Sequence, residues 1–259
     1  MKKFNVIFVS LLLLCVSTNA YSTSFYMGRH TSTSVELYKW DWDGNSTFTN
    51  SEHANSFNLG TNWRNYTVGM TFGPDNKFYM GRETSTSVEL YRWDWDGNDT
   101  FTNPEHVNSF NLGLNWRNYT IGMAFGPDNK FYMGRETSTS VELYKWDWDG
   151  NDTFTNSEHV NSFDLGLEWR NYTVGMTFGP DNKFYMGRNT STSVELYKWD
   201  WDGNDTFTNS EHVNSFTLGR EWRNYTIGMT SYPIAVPEPA TILLSLISVV
   251  GIFIRKRRR

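Results

Sequence analysis

Cysteine is almost absent: Cys15 is the only one in 259 residues, and it sits in an apolar N-terminal stretch. No disulfide framework can form within the chain, so the fold must rest on packing alone. Cations are scarce between the two ends. Two of the 23 Lys and Arg are Lys2 and Lys3 and five close the chain, so 16 remain between the ends; of the 28 Asp and Glu only Glu238 belongs to the tail, which leaves 27 and a balance of −11. A body so acidic repels phosphate and gains nothing from the counterion release that drives nucleic-acid binding, so no nucleic-acid partner is expected. Signatures of catalysis are missing as well: there is no Gly-x-Ser-x-Gly, no phosphate-cradling loop and no nucleophile beside a base. No internal stretch carries a sustained helical period. Long hydrophobic runs occur at the two ends only.

At the N-terminus, Lys2 and Lys3, the apolar run from Val6 to Val16 and the small-residue segment Ser17-Thr18-Asn19-Ala20 make the three parts of a secretory signal peptide. Residues 1–20 are expected to be removed, Cys15 with them, leaving Tyr21 at the start of the mature chain. Leu14 before Cys15 is too large for a lipoprotein cleavage site, which argues against a lipid anchor.

The C-terminal run from Ile242 to Ile254 has 13 uncharged residues, whereas a helix crossing a bilayer core needs roughly 20. Arg255, Lys256, Arg257, Arg258 and Arg259 follow it and resist translocation, so the segment reads as a C-terminal membrane helix that keeps the body outside. It must recruit Pro239 to Thr241 or thin the bilayer locally. Ahead of it stands Val236-Pro237-Glu238-Pro239-Ala240. This order of Pro-Glu-Pro, hydrophobic stretch and basic cluster resembles the PEP-CTERM sorting domain of Gram-negative bacteria, over residues 236–259. The resemblance implies an exosortase-type processing enzyme as partner and transient anchoring in the inner membrane. It also implies a destination in the cell envelope, at the outer surface or in an exopolysaccharide-rich biofilm matrix. It says nothing about the body.

The body is a repeat. "FYMGR" begins at Phe25, Phe78, Phe131 and Phe184, a spacing of 53 residues, giving units 25–77, 78–130, 131–183 and 184–232. The second and third copies differ at six positions. A period of this length signals a solenoid, a propeller or a beaded array. Large and small residues alternate in Tyr66 to Phe72, a two-residue strand period. Gly73-Pro74-Asp75-Asn76-Lys77 is a turn, and Phe78 to Arg82 returns from it. Ser87 to Asp94 puts apolar bulk on both faces, and Thr100 to Thr102 with Asn108 to Leu112 supply a fourth strand that Pro104 is expected to break. A four-stranded unit with two apolar faces must be covered on both sides, as a β-propeller blade is, and "GMTFGPDNKFYMGR" resembles the first hairpin of many propeller blades. The ends of the repeat agree. The first copy lacks the strand before Phe25, and Asn224 to Thr230 is left over after the last, so the two are expected to pair and close the ring. The expected fold class is all-β, a four-bladed β-propeller, with an open stack of β units or a ring completed by a second chain as the alternative.

Three sets of residues invite a chemical reading. Asp94, Asp96, Asn98 and Glu105 stand at positions 1, 3, 5 and 12 of a loop, the ligand spacing of an EF-hand. Asp41, Asp43, Asn45 and Glu52 repeat the spacing, as do Asp147, Asp149, Asn151 and Glu158, and Asp200, Asp202, Asn204 and Glu211. They are candidate calcium ligands, one site per unit. Gly stands at position 4 instead of 6, however, and the flanks read as strands, so a plain hairpin turn with solvated acids competes. Trp63-Arg64, Trp116-Arg117, Trp169-Arg170 and Trp222-Arg223 each precede Asn-Tyr. An indole face can stack on the C–H face of a pyranose while Arg or Asn bonds its hydroxyls, which makes these candidate carbohydrate ligands; core filling is the alternative. His53, His106, His159 and His212 each follow a Glu, too few groups for a zinc site unless all four converge on an axis.

Catalysis needs unlike groups converging on one substrate. Near-identical units present the same side chains four times, which suits multivalent attachment. The expected function is therefore a non-enzymatic surface or matrix protein, a multivalent scaffold with extracellular polysaccharide as its partner. A lactonase-like propeller hydrolase with a channel metal is the alternative.

Overall fold

The computed structural model describes residues 23–60, 63, 66–113, 116, 119–166, 168–169, 172–219, 222 and 225–232. The expected signal peptide, the sorting tail and the side chains of Arg64, Arg117, Arg170 and Arg223 lie outside the described residues. Sixteen strands run in chain order. They are β1 (Thr23–His30), β2 (Val35–Trp42), β3 (Phe48–Phe57), β4 (Thr67–Phe72), β5 (Lys77–Glu83), β6 (Val88–Trp95), β7 (Phe101–Phe110) and β8 (Thr120–Phe125). They continue as β9 (Lys130–Glu136), β10 (Val141–Trp148), β11 (Phe154–Phe163), β12 (Thr173–Phe178), β13 (Phe184–Asn189), β14 (Val194–Trp201), β15 (Phe207–Phe216) and β16 (Thr226–Tyr232).

Four antiparallel sheets result, in the orders β16-β1-β2-β3, β4-β5-β6-β7, β8-β9-β10-β11 and β12-β13-β14-β15. The innermost strands β4, β8, β12 and β16 touch one another around a central axis. The protein is a four-bladed β-propeller. Each sequence repeat supplies three strands of one blade and the inner strand of the next, so blades and repeats are offset by one strand. Closure follows from that offset. The last strand pairs with the first, Phe25 opposite Ser231 and Met27 opposite Met229, and locks the two ends into one blade.

Burial falls outward along each blade. All six residues of β4 are buried, whereas the middle of β7 is exposed. Four aromatic wedges fill the gaps between blades. In one, Tyr26, Val35, Leu37 and Phe57 from the closing blade meet Phe72, Phe78 and Trp93 from the next. Phe57 and Phe78 stack at 5.5 Å there, and Trp93 meets Phe57 edge-on at 5.5 Å. Both faces of every sheet are thus covered, as the two-sided hydrophobicity of the strands requires.

The fourth strand is continuous through Pro104, contrary to the expected break. Two features explain this. β7 is the outer strand, where a missing N–H costs least, and Pro104 falls within a β-bulge between the pairs Asp94–Thr102 and Arg92–Glu105. Asn103 takes the left-handed conformation at the bulge, with φ 50°, as do Asn50, Asn156 and Asn209 in the other blades.

The axis is closed by backbone. A Cβ on Gly69 would lie 2.8 Å from the Met123 nitrogen and 2.9 Å from the Gly122 Cα. Gly122 faces Gly175, Gly175 faces Gly228 and Gly228 faces Gly69 in the same way. Gly122→Ala therefore forces two main chains apart. We expect it to cost about 1–3 kcal/mol by overpacking, read as a lower denaturant midpoint.

A second ring ties neighbouring blades. Lys39 reaches Asp99 at 2.6 Å, Arg92 reaches Asp152 at 2.5 Å and Lys145 pairs with Asp205. At the fourth interface Ser46 stands where the acid should be, and Lys198 contacts Asn45 Oδ1 at 3.4 Å instead. Ser46→Asp should complete the ring and add about 0.5–1 kcal/mol, measured as a higher urea midpoint that disappears in the double variant with Lys198→Met.

Candidate functional site

The strand directions give the ring two chemically different faces. One carries the Gly-Pro-Asp-Asn turns and the Asp-Gly-Asn-Asp hairpins, here called the hairpin face. The other carries the Thr-Ser-Thr-Ser turns and the connections that lead from each outer strand to the next inner strand. Those connections contain the Trp-Arg-Asn-Tyr segments.

The structure corrects the sugar-shelf reading of the tryptophans. Trp63, Trp116, Trp169 and Trp222 are only 6–7% exposed. The guanidinium of Arg82 lies over the Trp63 ring, 5.5 Å from its centroid, and Arg135, Arg188 and Arg29 cover Trp116, Trp169 and Trp222. Each of these arginines is also paired with a carboxylate, Arg82 with Glu89 for instance. With one side against the core and arginine on the other, the indoles have no face left for a sugar.

The tyrosine three residues on has the opposite fate. Tyr66, Tyr119, Tyr172 and Tyr225 are 39–46% exposed, and they are the exposed large hydrophobic side chains among the described residues. Each immediately precedes an innermost strand, so the four surround the mouth of the axis. Their backbones are held from both sides. The Tyr66 N–H donates to the Trp63 carbonyl at 3.1 Å, and the Tyr66 carbonyl accepts from the Glu83 N–H at 2.6 Å. Tyr119, Tyr172 and Tyr225 repeat this with Glu136, Asn189 and His30. The buried tryptophan thus positions an exposed tyrosine. Sequence reasoning missed this, because Tyr66 counts there as the first large residue of the alternating strand, whereas the buried strand starts at Thr67.

Beside the connections lie shallow hollows, such as that lined by Thr84, Thr86, Ser87, Leu112, Gly113 and Trp116. None has room for more than a water molecule.

The calcium spacing dissolves on the hairpin face, because its positions 1 and 12 lie on two paired strands instead of wrapping one loop. Asp94 accepts from Lys77 Nζ and Asn103 Nδ2, both at 2.8 Å. Asp96 caps its own turn, accepting from the N–H groups of Asn98 at 2.7 Å and Thr100 at 3.1 Å. Glu105 pairs with Arg92 at 2.9 Å. The other blades repeat the scheme. Asp41, Asp147 and Asp200 bind the bulge asparagines, and Asp43, Asp149 and Asp202 cap turns at Asn45, Asn151 and Asn204. Glu52, Glu158 and Glu211 pair with Lys39, Lys145 and Lys198. Among the described residues no three acidic, histidine or cysteine side chains converge as a metal site. His53, His106, His159 and His212 do not meet at the axis either. They sit on the outer strands, each bonded to a serine hydroxyl at 2.9–3.0 Å.

The axis itself offers no channel among the described residues. The glycine ring closes it, and the methionines around it, Met70, Met123, Met176 and Met229, are fully buried.

Comparison with known proteins adds a match at the C-terminus. Residues 235–259 match the model of the PEP-CTERM protein-sorting motif. The tail is a PEP-CTERM sorting motif. Such a tail implies an exported protein, held transiently by its C-terminus and processed by an exosortase. No curated protein matches the chain. Solved structures give distant matches. A luciferin-regenerating enzyme is 14% identical over 71% of this chain and 60% of its own, with a TM-score of 0.38. Regucalcin from Agrobacterium tumefaciens, described as a calcium-binding protein, is 11% identical over 71% and 58%, with a TM-score of 0.37. A putative gluconolactonase is 10% identical over 76% and 64%, with a TM-score of 0.34. This chain spans about three fifths of the length of the first two. No helix among the described residues is long and apolar enough to cross a membrane.

The charges on the hairpin face set the pH range of stability. Hydrogen bonds from the Asn98 and Thr100 backbone hold Asp96 below its ordinary 3.8, and Lys198 holds Glu211 below its ordinary 4.5. A carboxylate depressed in the folded state stabilises the fold above its unfolded value and loses that contribution as pH falls through the folded one. Tyr79, Tyr132 and Tyr185 are shifted the other way, up from 10.0, by burial and then by the charge of Asp75, Asp128 and Asp181. Their contribution is present below pH 10.0 and is lost as pH rises above it. The melting temperature should therefore be level between about pH 5 and 9 and fall on both sides, as a circular-dichroism series would show.

Proposed function

We propose that this exported propeller is a non-enzymatic, multivalent carbohydrate-binding scaffold, with Tyr66, Tyr119, Tyr172 and Tyr225 as its contact residues. The observation that carries this reading is the ring of four exposed tyrosines at one repeat position on one face. A tyrosine presents a flat apolar ring to the C–H groups of a pyranose and a hydroxyl to its oxygens. Four equal platforms on a rigid ring engage a repeating polymer many times at once, so weak single contacts sum to high avidity. The closed axis and the water-sized hollows support a binder over a hydrolase, since neither encloses a substrate.

The tail supports delivery of this scaffold to the polysaccharide outside the cell. The test is retention on a polysaccharide-coated surface by the tail-deleted protein, with sugar release followed in parallel. Single Tyr→Ala variants should weaken retention several-fold. The quadruple variant should lose roughly 10²–10⁴ in avidity while keeping its melting temperature. Unchanged retention in the quadruple variant, or release of sugar by the intact protein, would remove this reading.

A further inference from the structure

The chain leaves the propeller at a defined place. Tyr232 opposes Ser24 and Thr23 opposes Trp42, so both ends of the described chain lie on the hairpin face. Tyr232 is fixed there. Its hydroxyl donates to Asn76 Oδ1 at 3.0 Å, and its ring meets Trp95 at 4.3 Å and Phe72 at 5.1 Å. It belongs to β16, an innermost strand, so the exit is close to the axis. The sorting motif starts at residue 235 and its apolar run at Ile242.

Covalent geometry limits what this short connection can do. From Tyr232 to Ile242 the chain advances by ten residues, which span at most about 35 Å when fully extended. To lay the tyrosine face on the membrane, the connection would first have to cross the blade. Three inter-strand gaps separate β16 from β3, roughly 14 Å at about 4.8 Å each. It would then have to descend the outer strand, whose ten residues occupy roughly 33 Å. The sum, about 47 Å, exceeds the reach.

We propose that the tail fixes the orientation of the propeller: while the tail is held in a membrane, the hairpin face looks toward the lipid and the ring of Tyr66, Tyr119, Tyr172 and Tyr225 looks away from it. The anchored protein is thus a presenting device, able to engage polymer beyond the membrane before the tail is processed. That the outward face meets carbohydrate rests on the function proposed above. The orientation rests on the exit point and the reach of the chain.

Energy transfer tests the orientation without any glycan, so its failure is distinct from failure of the binding reading. The full chain, with Cys15→Ser, carries a donor dye at either Ser85→Cys on the tyrosine face or Asn98→Cys on the hairpin face; both are exposed turn positions. It is incorporated through its tail into liposomes bearing an acceptor on the lipid headgroups. Transfer severalfold stronger from position 98 than from position 85 is expected. Equal transfer, or stronger transfer from position 85, overturns the proposal. The tail-deleted protein mixed with the same liposomes sets the background for each dye.

Discussion

Four backbones meet at the centre of this protein, and their approach sets the dimensions of everything around them. Only a residue without a Cβ allows the inner strands to come within contact of one another, because the next main chain already occupies that space. Once the inner strands touch, the blades must fan out at a steep angle, and the wedges between them open quickly with distance from the axis. Those wedges are filled by large flat rings. Phe57, Phe78, Trp93 and Phe101 form one such packing, and it recurs around the ring. A small ring and a high aromatic content are consequences of the same glycine axis.

The ring is strong where its copies agree and individual where they differ. The interface that joins the last blade to the first lacks the acidic partner present at the other three, since Ser46 replaces Asp. Other devices serve closure. The first and last strands share one sheet, and Trp42, nearly fully buried, packs edge-on against Tyr185 across that seam. Hydrophobic packing and main-chain hydrogen bonds therefore hold the seam, with little help from charge.

The two faces of the ring are chemically unlike. On the hairpin face the acids are engaged in turns, bulges and ion pairs, so their charge shapes the fold. On the tyrosine face the buried tryptophan, the arginine over it and two backbone hydrogen bonds hold an apolar ring out in water, four times over. The packing of the blade leaves that ring exposed at the same position in all four copies.

Much of the architecture was legible in the residues themselves. The 53-residue period, the two-sided strands, and a repeat that starts one strand late and ends one strand long already describe a ring closed by pairing its ends. The tail, too, is readable by itself, because sorting signals act as linear segments. The site was legible only in outline. Trp63 and Tyr66 stand three residues apart in one motif, and periodicity cannot say which is covered, since that depends on where Arg82 of the following strand lies. Nor could spacing show that Asp94 and Glu105, eleven residues apart, fall on paired strands and bind different partners. The inter-blade contacts join residues 60 apart, and the closed axis joins glycines 53 apart. Local sequence determined the strands, their number and the way the ends meet. The curvature of the closed ring decided which aromatic is exposed, what the acids bind and that the centre is solid, because those outcomes depend on distances that exist only after the blades have come together.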